Sequence, residues 1–518
     1  MPQIYDRPVI TEPGPEAGGV LAWNELGRRG ARAALQLAAR SLAMRALTFV
    51  GTLVLARLLV PEDFGVFGIV SFVVSVCAAL GDFGLGAALV QQAEEPTPEQ
   101  QATAWTAQQG IALAAVALVW VAAPALAGTI AGLPSDAPWM LRVLSLGLLL
   151  SSLRTLPSVM MERELRFGPL ATAEVLQQIA YYGLALALAF AGCRAWSFVI
   201  AGIGQLAVGA VVVNLVWRRR PHLGLHGHVL ARLLGFGFDY QLSLLLMTLR
   251  DAPLPVLAGW VLGPISAGLM QFSTRIALTV ASIDDVVARI AFPAFSRLQG
   301  RRDEQTRALE LATLLTALFV VPVQCALAAL APQLVPLLFG TQWVGAVVPL
   351  QLLCVATLFR FPARYLRQTV FAEGASRLGL RIASACLATA IAPVIPGLIW
   401  FGLPGAGAGF VLGSIAGLAA TAWLARPYAS MAWGSFLGLV TAGLAGMVVA
   451  LVGASVGQSL GVLAASILTA VLFAITFGLL VWLRHRDLVE LSFRLAREGL
   501  GDRAHQADSS ASRGSPLD

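Results

Sequence analysis

Apolar stretches of about 20 residues or more, broken by short segments rich in Arg, Pro and Gly, recur along nearly the whole chain. Few folds are open to such a pattern. Of the 518 residues, 58% are hydrophobic and 12% are charged. Soluble domains carry roughly 25% charged residues and stop enlarging a single core near 250–300 residues. Water is therefore the wrong solvent for this chain and lipid the right one. Each unpaired backbone group in a bilayer is expensive, which leaves helices or a closed barrel. Runs of this length choose helices, so the expected class is an all-α polytopic membrane protein.

Reading apolar runs against charged or Pro/Gly breaks gives about fourteen spans. They cover 34–59, 64–90, 103–127, 138–160, 170–192, 195–217, 230–258, 263–292, 307–331, 345–371, 378–400, 404–424, 435–456 and 461–483. A basic linker, residues 218–229, separates the first six spans from the rest. The expected organisation is a cytoplasmic tail without structure (1–32), an N-terminal lobe (33–217) and the linker (218–229). A C-terminal lobe (230–424), two additional helices (435–483) and an interfacial helix with a second tail (484–518) follow. Two six-helix lobes around a central cavity, plus two appended helices, is a transporter-like architecture, and its substrate site falls where the lobes meet.

All 35 basic residues are Arg, and they alternate between loops. One set of loops holds Arg28, Arg29, Arg32, Arg163, Arg166, Arg218 to Arg220, Arg297, Arg301, Arg302, Arg377, Arg426, Arg484 and Arg486. The opposite set holds almost none, with Arg194 the main exception, and residues 91–101 on the basic side carry Glu without Arg. Arginine excess marks the cytoplasmic face, so both termini are expected there. Charge dispersed in this manner is not the clustered patch of a nucleic-acid binder. The five cysteines fit no metal or disulfide framework, and His222, His226 and His228 match no ligand spacing, so neither a metal nor a cofactor is expected.

Five segments carry a family resemblance. They are LARLLVPEDFGVFGIV (55–70), ALGDFGLGAALVQ (79–91), MERELRFGPLATAEV (161–175), FPAFSRLQGRRDEQTRAL (292–309) and LFGTQWVGAVVPLQLL (338–353). In this order and at these separations the chain resembles the bacterial polysaccharide flippases of the multidrug/oligosaccharidyl-lipid/polysaccharide exporter superfamily. The branch it resembles exports exopolysaccharide, capsule or O-antigen repeat units. The resemblance implies an inner-membrane protein that turns a lipid-linked oligosaccharide, usually on undecaprenyl pyrophosphate, from the cytoplasmic to the periplasmic leaflet. Membrane lipids and polysaccharide polymerase or export machinery are the partners that go with it.

Such a substrate must take a pyrophosphate and several sugars across roughly 30 Å of hydrocarbon. Arginine suits the task because its planar fork pairs with phosphate oxygens. A mid-span Arg costs about 2.5–3.5 kcal/mol on insertion scales, so each should face a cavity or a partner. Arg45 lies near the middle of the first span and Arg275 near the middle of the eighth. The resemblance places spans one, two, seven and eight around the cavity, making these two the first candidates for pyrophosphate. The alternative for each is a buried pair with a carboxylate of the second or seventh span. Arg250 is a third candidate, although it sits where it can snorkel outward. Asp82, in GDFGLG, is a candidate for pairing with Arg45 or taking a coupling cation, or else caps a bend. Asp239, eleven residues before Arg250, shares a face with it at about three turns. Arg360, Arg364 and Arg367 form a second tier on the tenth span, split between lipid headgroups and substrate entry. Asp285 and Arg289 have the spacing of an interfacial ion pair. Gln108, Gln109, Gln177, Gln178, Tyr181, Tyr182 and Gln205 suit either sugar contacts or interhelical hydrogen bonds.

A drug/cation antiporter of the same superfamily is the competing transporter, and it requires an acidic cavity. A membrane polysaccharide polymerase or ligase requires a large outward loop, and a glycosyltransferase an acidic segment at the membrane edge. The sequence offers neither, nor a constellation for covalent catalysis.

Overall fold

The computed structural model describes residues 44–81, 85, 89, 95–164, 166–217, 223–231, 242, 245, 246, 249, 253–281, 284–456 and 461–484. The chain forms two compact units, Met1–Thr52 and Leu53–Asp518. In the first unit, residues 44–52 are helical. In the second, helical residues 53–58 precede α1 (Pro61–Gly81), α2 (Pro98–Gly128), α3 (Ala137–Arg163), α4 (Phe167–Phe190) and α5 (Trp196–Val216). Then come α6 (Pro253–Leu262), α7 (Pro264–Ala281), α8 (Asp284–Arg297) and α9 (Arg302–Leu334). The last elements are α10 (Val347–Ala372), α11 (Ser376–Ala425), α12 (Trp433–Val456) and α13 (Val462–Arg484). Among the described residues the structure is all-helical, with 10 helices long and apolar enough to cross a membrane. The expected tails, most of the seventh span and the interfacial helix at 488–495 lie outside the described residues.

Local chemistry fixes several boundaries. α2 starts earlier than hydropathy alone suggests because Thr97 and Gln100 form a reciprocal capping box. The Gln100 amide donates to Thr97 Oγ1 at 3.3 Å, the Thr97 amide donates to Gln100 Oε1 at 3.0 Å, and Pro98 follows at the first helical position. α11 is 50 residues of helical backbone, about 75 Å if straight and far more than a bilayer's thickness. It is not straight: Gly402 takes φ 64° and ψ −145°, and the chain doubles back. The two arms touch through glycine, since a Cβ on Gly405 would lie 1.9 Å from the Gly397 carbonyl oxygen. One on Gly409 would lie 2.4 Å from that of Pro393. Small residues at such a crossing let backbones approach where lipid gives no hydrophobic drive. The arms correspond to the two spans expected at 378–400 and 404–424.

One apolar core joins α8 to α13 around Leu309, Phe361, Tyr365 and Phe436. Smaller cores join α1 to α5, around Val66, Leu144 and Val199 at one level and Leu156, Met161 and Val213 at another. Between these groups α7 packs along α1 on one side and against α10 on the other. Large apolar residues are exposed on the outer helices, among them Trp400, Phe401, Leu463 and Ile467, as lipid-facing surfaces require.

Replacing Gly405 with Ala puts a methyl into the backbone of the opposite arm, an overpacking cost of about 1–3 kcal/mol or more. Gly434, which has nothing within 4 Å of its virtual Cβ, accepts the same change. Thermal unfolding in detergent should therefore fall for Gly405→Ala and hold for Gly434→Ala.

Candidate functional site

Three layers of polar contact run from the arginine-poor end of the molecule to the arginine-rich end. At the arginine-poor end, helical residues 53–58 terminate and leave carbonyls without helical partners. Side chains from the 341–346 turn satisfy them. Trp343 Nε1 donates to the Ala56 carbonyl at 2.8 Å, and Gln342 Nε2 donates to Ala56 at 2.8 Å and to Leu59 at 3.1 Å. Arg57 answers in the other direction, capping the carbonyls of Leu338, at 2.6 Å, and of Leu337 where the 335–339 turn ends. Two helix ends thus cap each other. Trp343 is fully buried, stacked on Phe272 of α7 at 4.3 Å and edge-on to Phe64 of α1 at 5.0 Å.

Below that indole the starts of α1 and α7 cross in backbone contact. A Cβ on Gly65 would meet the Pro264 oxygen at 1.8 Å, and one on Gly268 would meet the Pro61 oxygen at 1.7 Å. Arg194, the exception in the loop count, has a local reason to be here. Its guanidinium donates to Asp63 Oδ1 at 3.2 Å and Glu62 Oε2 at 3.0 Å, and the Asp63 carboxylate foremost pushes it above its ordinary pKa.

Midway along α7 stands Arg275. Its Nη2 donates to Tyr182 Oη of α4 at 2.8 Å, with Tyr181 also against the guanidinium. Both phenols are buried, their rings edge-on at 5.1 Å. No carboxylate pairs with Arg275 among the described residues. α7 is held in place around it: Ser273 Oγ donates to the Ala346 carbonyl at 3.0 Å, and Gln324 Nε2 to that of Ala277 at 2.9 Å.

Toward the arginine-rich end the polar contacts lie on other helices. Ser75 lies seven residues, about two turns, beyond Gly68 on the same side of α1, and there it is exposed. Arg364 of α10 pairs with Asp284 at 3.0 Å and Asp285 at 2.7 Å, at the start of α8. Asp285, expected to pair with Arg289, thus has its described partner on another helix. Arg360 sits 5.8 Å from the centroid of Phe410. Arg154 Nη1 donates to Gln177 Oε1 at 2.9 Å, an interhelical bond rather than a loop contact. His226 joins Thr103 of α2 at 3.1 Å, and no group of three or more His, Cys, Asp or Glu suited to a metal occurs among the described residues.

Of the other sequence candidates, Arg45 is half-buried in the helical residues of the first unit. Asp82, Asp239 and Arg250 lie outside the described residues. The mutual capping by Arg57, Gln342 and Trp343 went unread in the sequence, although all three lie inside the family-like segments 55–70 and 338–353.

Helices joined by glycine contacts and satisfied polar groups, with a charge stationed at mid-span, define an integral membrane protein of transporter-like fold. The chain belongs to the polysaccharide biosynthesis protein family, whose model matches residues 54–348, more than half of it. It is 29% identical to the succinoglycan biosynthesis transport protein ExoT of Rhizobium meliloti (strain 1021), a match spanning 60% of this chain and 62% of that protein. It is 23% identical to the lipopolysaccharide biosynthesis protein WzxC of Escherichia coli (strain K12), over 59% of this chain and 62% of the relative. Among solved structures, the lipid II flippase MurJ in an inward closed conformation superposes with a TM-score of 0.71. That superposition covers 88% of this chain and 100% of the other at 13% identity, a likeness of fold alone. The resemblance drawn from the five segments holds.

Trp343→Phe keeps the stacked ring and removes the donor to Ala56. The Ala56 carbonyl keeps its bond from Gln342, so the loss is that of one hydrogen bond, about 0.5–1.5 kcal/mol. The variant should unfold at lower temperature in detergent, as should Arg57→Leu, while Val344→Ala, at an exposed neighbouring position, should not.

Proposed function

We propose that this protein is a flippase that carries a lipid-linked oligosaccharide from the cytoplasmic to the periplasmic leaflet of a bacterial inner membrane, for surface polysaccharide biosynthesis. Undecaprenyl pyrophosphate is the carrier that fits the family, and alternating access between residues 33–217 and 230–424 is the mechanism. The single observation that carries the reading is Arg275 held at mid-span by two neutral phenols. A carboxylate partner would cancel the charge and leave nothing for an anion. Phenols satisfy the hydrogen bonds yet keep the positive field, so phosphate oxygens entering the site replace Tyr182 with a stronger, charge-assisted pair.

In this reading the arginine-rich end is cytoplasmic, as are both termini. The Trp343 contacts and the Gly65/Gly268 crossing form the closed periplasmic side, and the exposed Ser75 face lies on the cytoplasmic approach. Displacing Tyr182 from Arg275 loosens α4 from α7 and prepares the closed end to open. Arg45 and Arg250 are further candidates for the pyrophosphate, Asp82 and Asp239 are coupling candidates, and Arg360 and Arg364 are second-tier candidates for substrate entry. An inside-negative potential favours the outward step by about 2.3 kcal/mol per charge per 100 mV. The export machinery that polymerises the repeat units is the partner downstream.

The test is genetic with a chemical readout. A strain lacking the gene should accumulate lipid-linked repeat units on the cytoplasmic leaflet and lose surface polysaccharide. Wild type restores export, Arg275→Ala does not, and Arg275→Lys restores it weakly because a point charge lacks the bidentate fork. Normal surface polysaccharide in the deletion strain contradicts the proposal.

A further inference from the structure

Arg142 stands near the arginine-poor end of α3, within a span and on its outer side, where a charge needs a reason. Part of the reason is local. Pro124 interrupts the hydrogen-bond ladder of α2, and the carbonyl it deprives of an amide donor is that of Trp120. Arg142 Nε donates to that oxygen at 3.2 Å, and Trp120 Nε1 donates in return to the Arg142 carbonyl at 3.2 Å. The guanidinium carbon lies 4.8 Å from the ring centroid of Trp139 and 6.0 Å from that of Trp120, within reach of both quadrupoles. Both indoles are exposed. So are Leu113, about two turns from Trp120 on its face of α2, and Leu153, about three turns from Arg142 on its face of α3. This surface therefore meets lipid.

The local reason uses only Nε. Nη1 and Nη2 donate to nothing among the described residues, and no carboxylate there pairs with the charge. Asp136, the nearest acidic residue along the chain, accepts from Trp196 Nε1 at 2.6 Å. Depth adds a second constraint. α2 and α3 contain 31 and 27 residues, about 46 and 40 Å against roughly 30 Å of hydrocarbon, so both overshoot it. Arg142 lies about 8 Å from the start of α3, and helical side chains lean toward the helix start, here toward the headgroups. Indoles are enriched at this level of a bilayer. A forked cation with two unused amino groups matches two oxygens of a phosphate. An ammonium headgroup would meet repulsion from the guanidinium and no carboxylate.

We infer that Arg142, Trp120 and Trp139 form a binding site for the phosphodiester of an anionic phospholipid in the leaflet at the arginine-poor end, the periplasmic one in the proposed orientation. The site is on the outer surface and does not depend on the cargo, so its failure leaves the flippase reading in place. Native mass spectrometry tests it on the full-length protein released from nanodiscs of mixed phosphatidylethanolamine and phosphatidylglycerol. Arg142→Gln keeps a donor for the Trp120 carbonyl and removes the fork. It should retain one fewer phosphatidylglycerol than wild type, with affinity for that lipid down about tenfold, and the same phosphatidylethanolamine. Trp139→Leu, which breaks no hydrogen bond, should weaken the same lipid about threefold, and it decides the matter if Arg142→Gln does not fold. Phosphatidylglycerol retention equal to wild type in these variants, or an equal loss of phosphatidylethanolamine, overturns the site. Displacement of the lipid by undecaprenyl pyrophosphate at equal concentration also overturns it, since the site would then belong to the cargo.

Discussion

A guanidinium in the middle of a membrane helix has to be satisfied without water, and the way it is satisfied decides what it can do. Arg275 is met by Tyr182 at 2.8 Å and by Tyr181, both buried. The phenols supply acceptors and withhold the opposite charge. On the proposed reading, such a site takes an anion by replacing a phenol oxygen with a phosphate oxygen. α7 bears the arginine and α4 the tyrosines, so the contact ties the two helices together.

The arginine-poor end shows the complementary solution. Helix ends that would strand carbonyls in lipid cap each other through Trp343, Gln342 and Arg57, and the α1 and α7 backbones meet at Gly65 and Gly268. These contacts are short, specific and discrete, so the pair is either docked or apart; packed elements of this kind move between states and do not deform smoothly. Toward the other end the same face of α1 is exposed at Ser75.

Much of the fold was legible in the sequence because lipid imposes one rule, that each backbone bond be closed within its own helix. Hydropathy placed the helices from α2 to α5 and from α9 to α13 within a few residues. The α2 start departed from hydropathy because a capping box at Thr97 carries the helix beyond the apolar run. Within the eighth span, expected at 263–292, helix is described over Pro264–Ala281 and from Asp284 onward. Arg275 stood out in the sequence as a charge at mid-span. Tyr181 and Tyr182 stood out as polar groups suited to interhelical hydrogen bonds, but their pairing with Arg275, more than ninety residues later, was not legible. The capping by Trp343 was hidden for the same reason, its acceptor being 287 residues away. Arg194 broke the loop count because a salt bridge to Asp63 and Glu62, not topology, holds it there.

In the proposed cycle an anion on Arg275 releases the tyrosines and undocks the contacts at the arginine-poor end. Double electron–electron resonance on protein in nanodiscs reads this directly, with spin labels at Ser135 and Val344 on the arginine-poor side and at Arg166 and Arg301 on the arginine-rich side. All four positions are exposed. Adding undecaprenyl pyrophosphate should lengthen the first distance and shorten the second, and Arg275→Ala should abolish both shifts. Distances that stay fixed in the wild type, or that shift equally without Arg275, contradict the account.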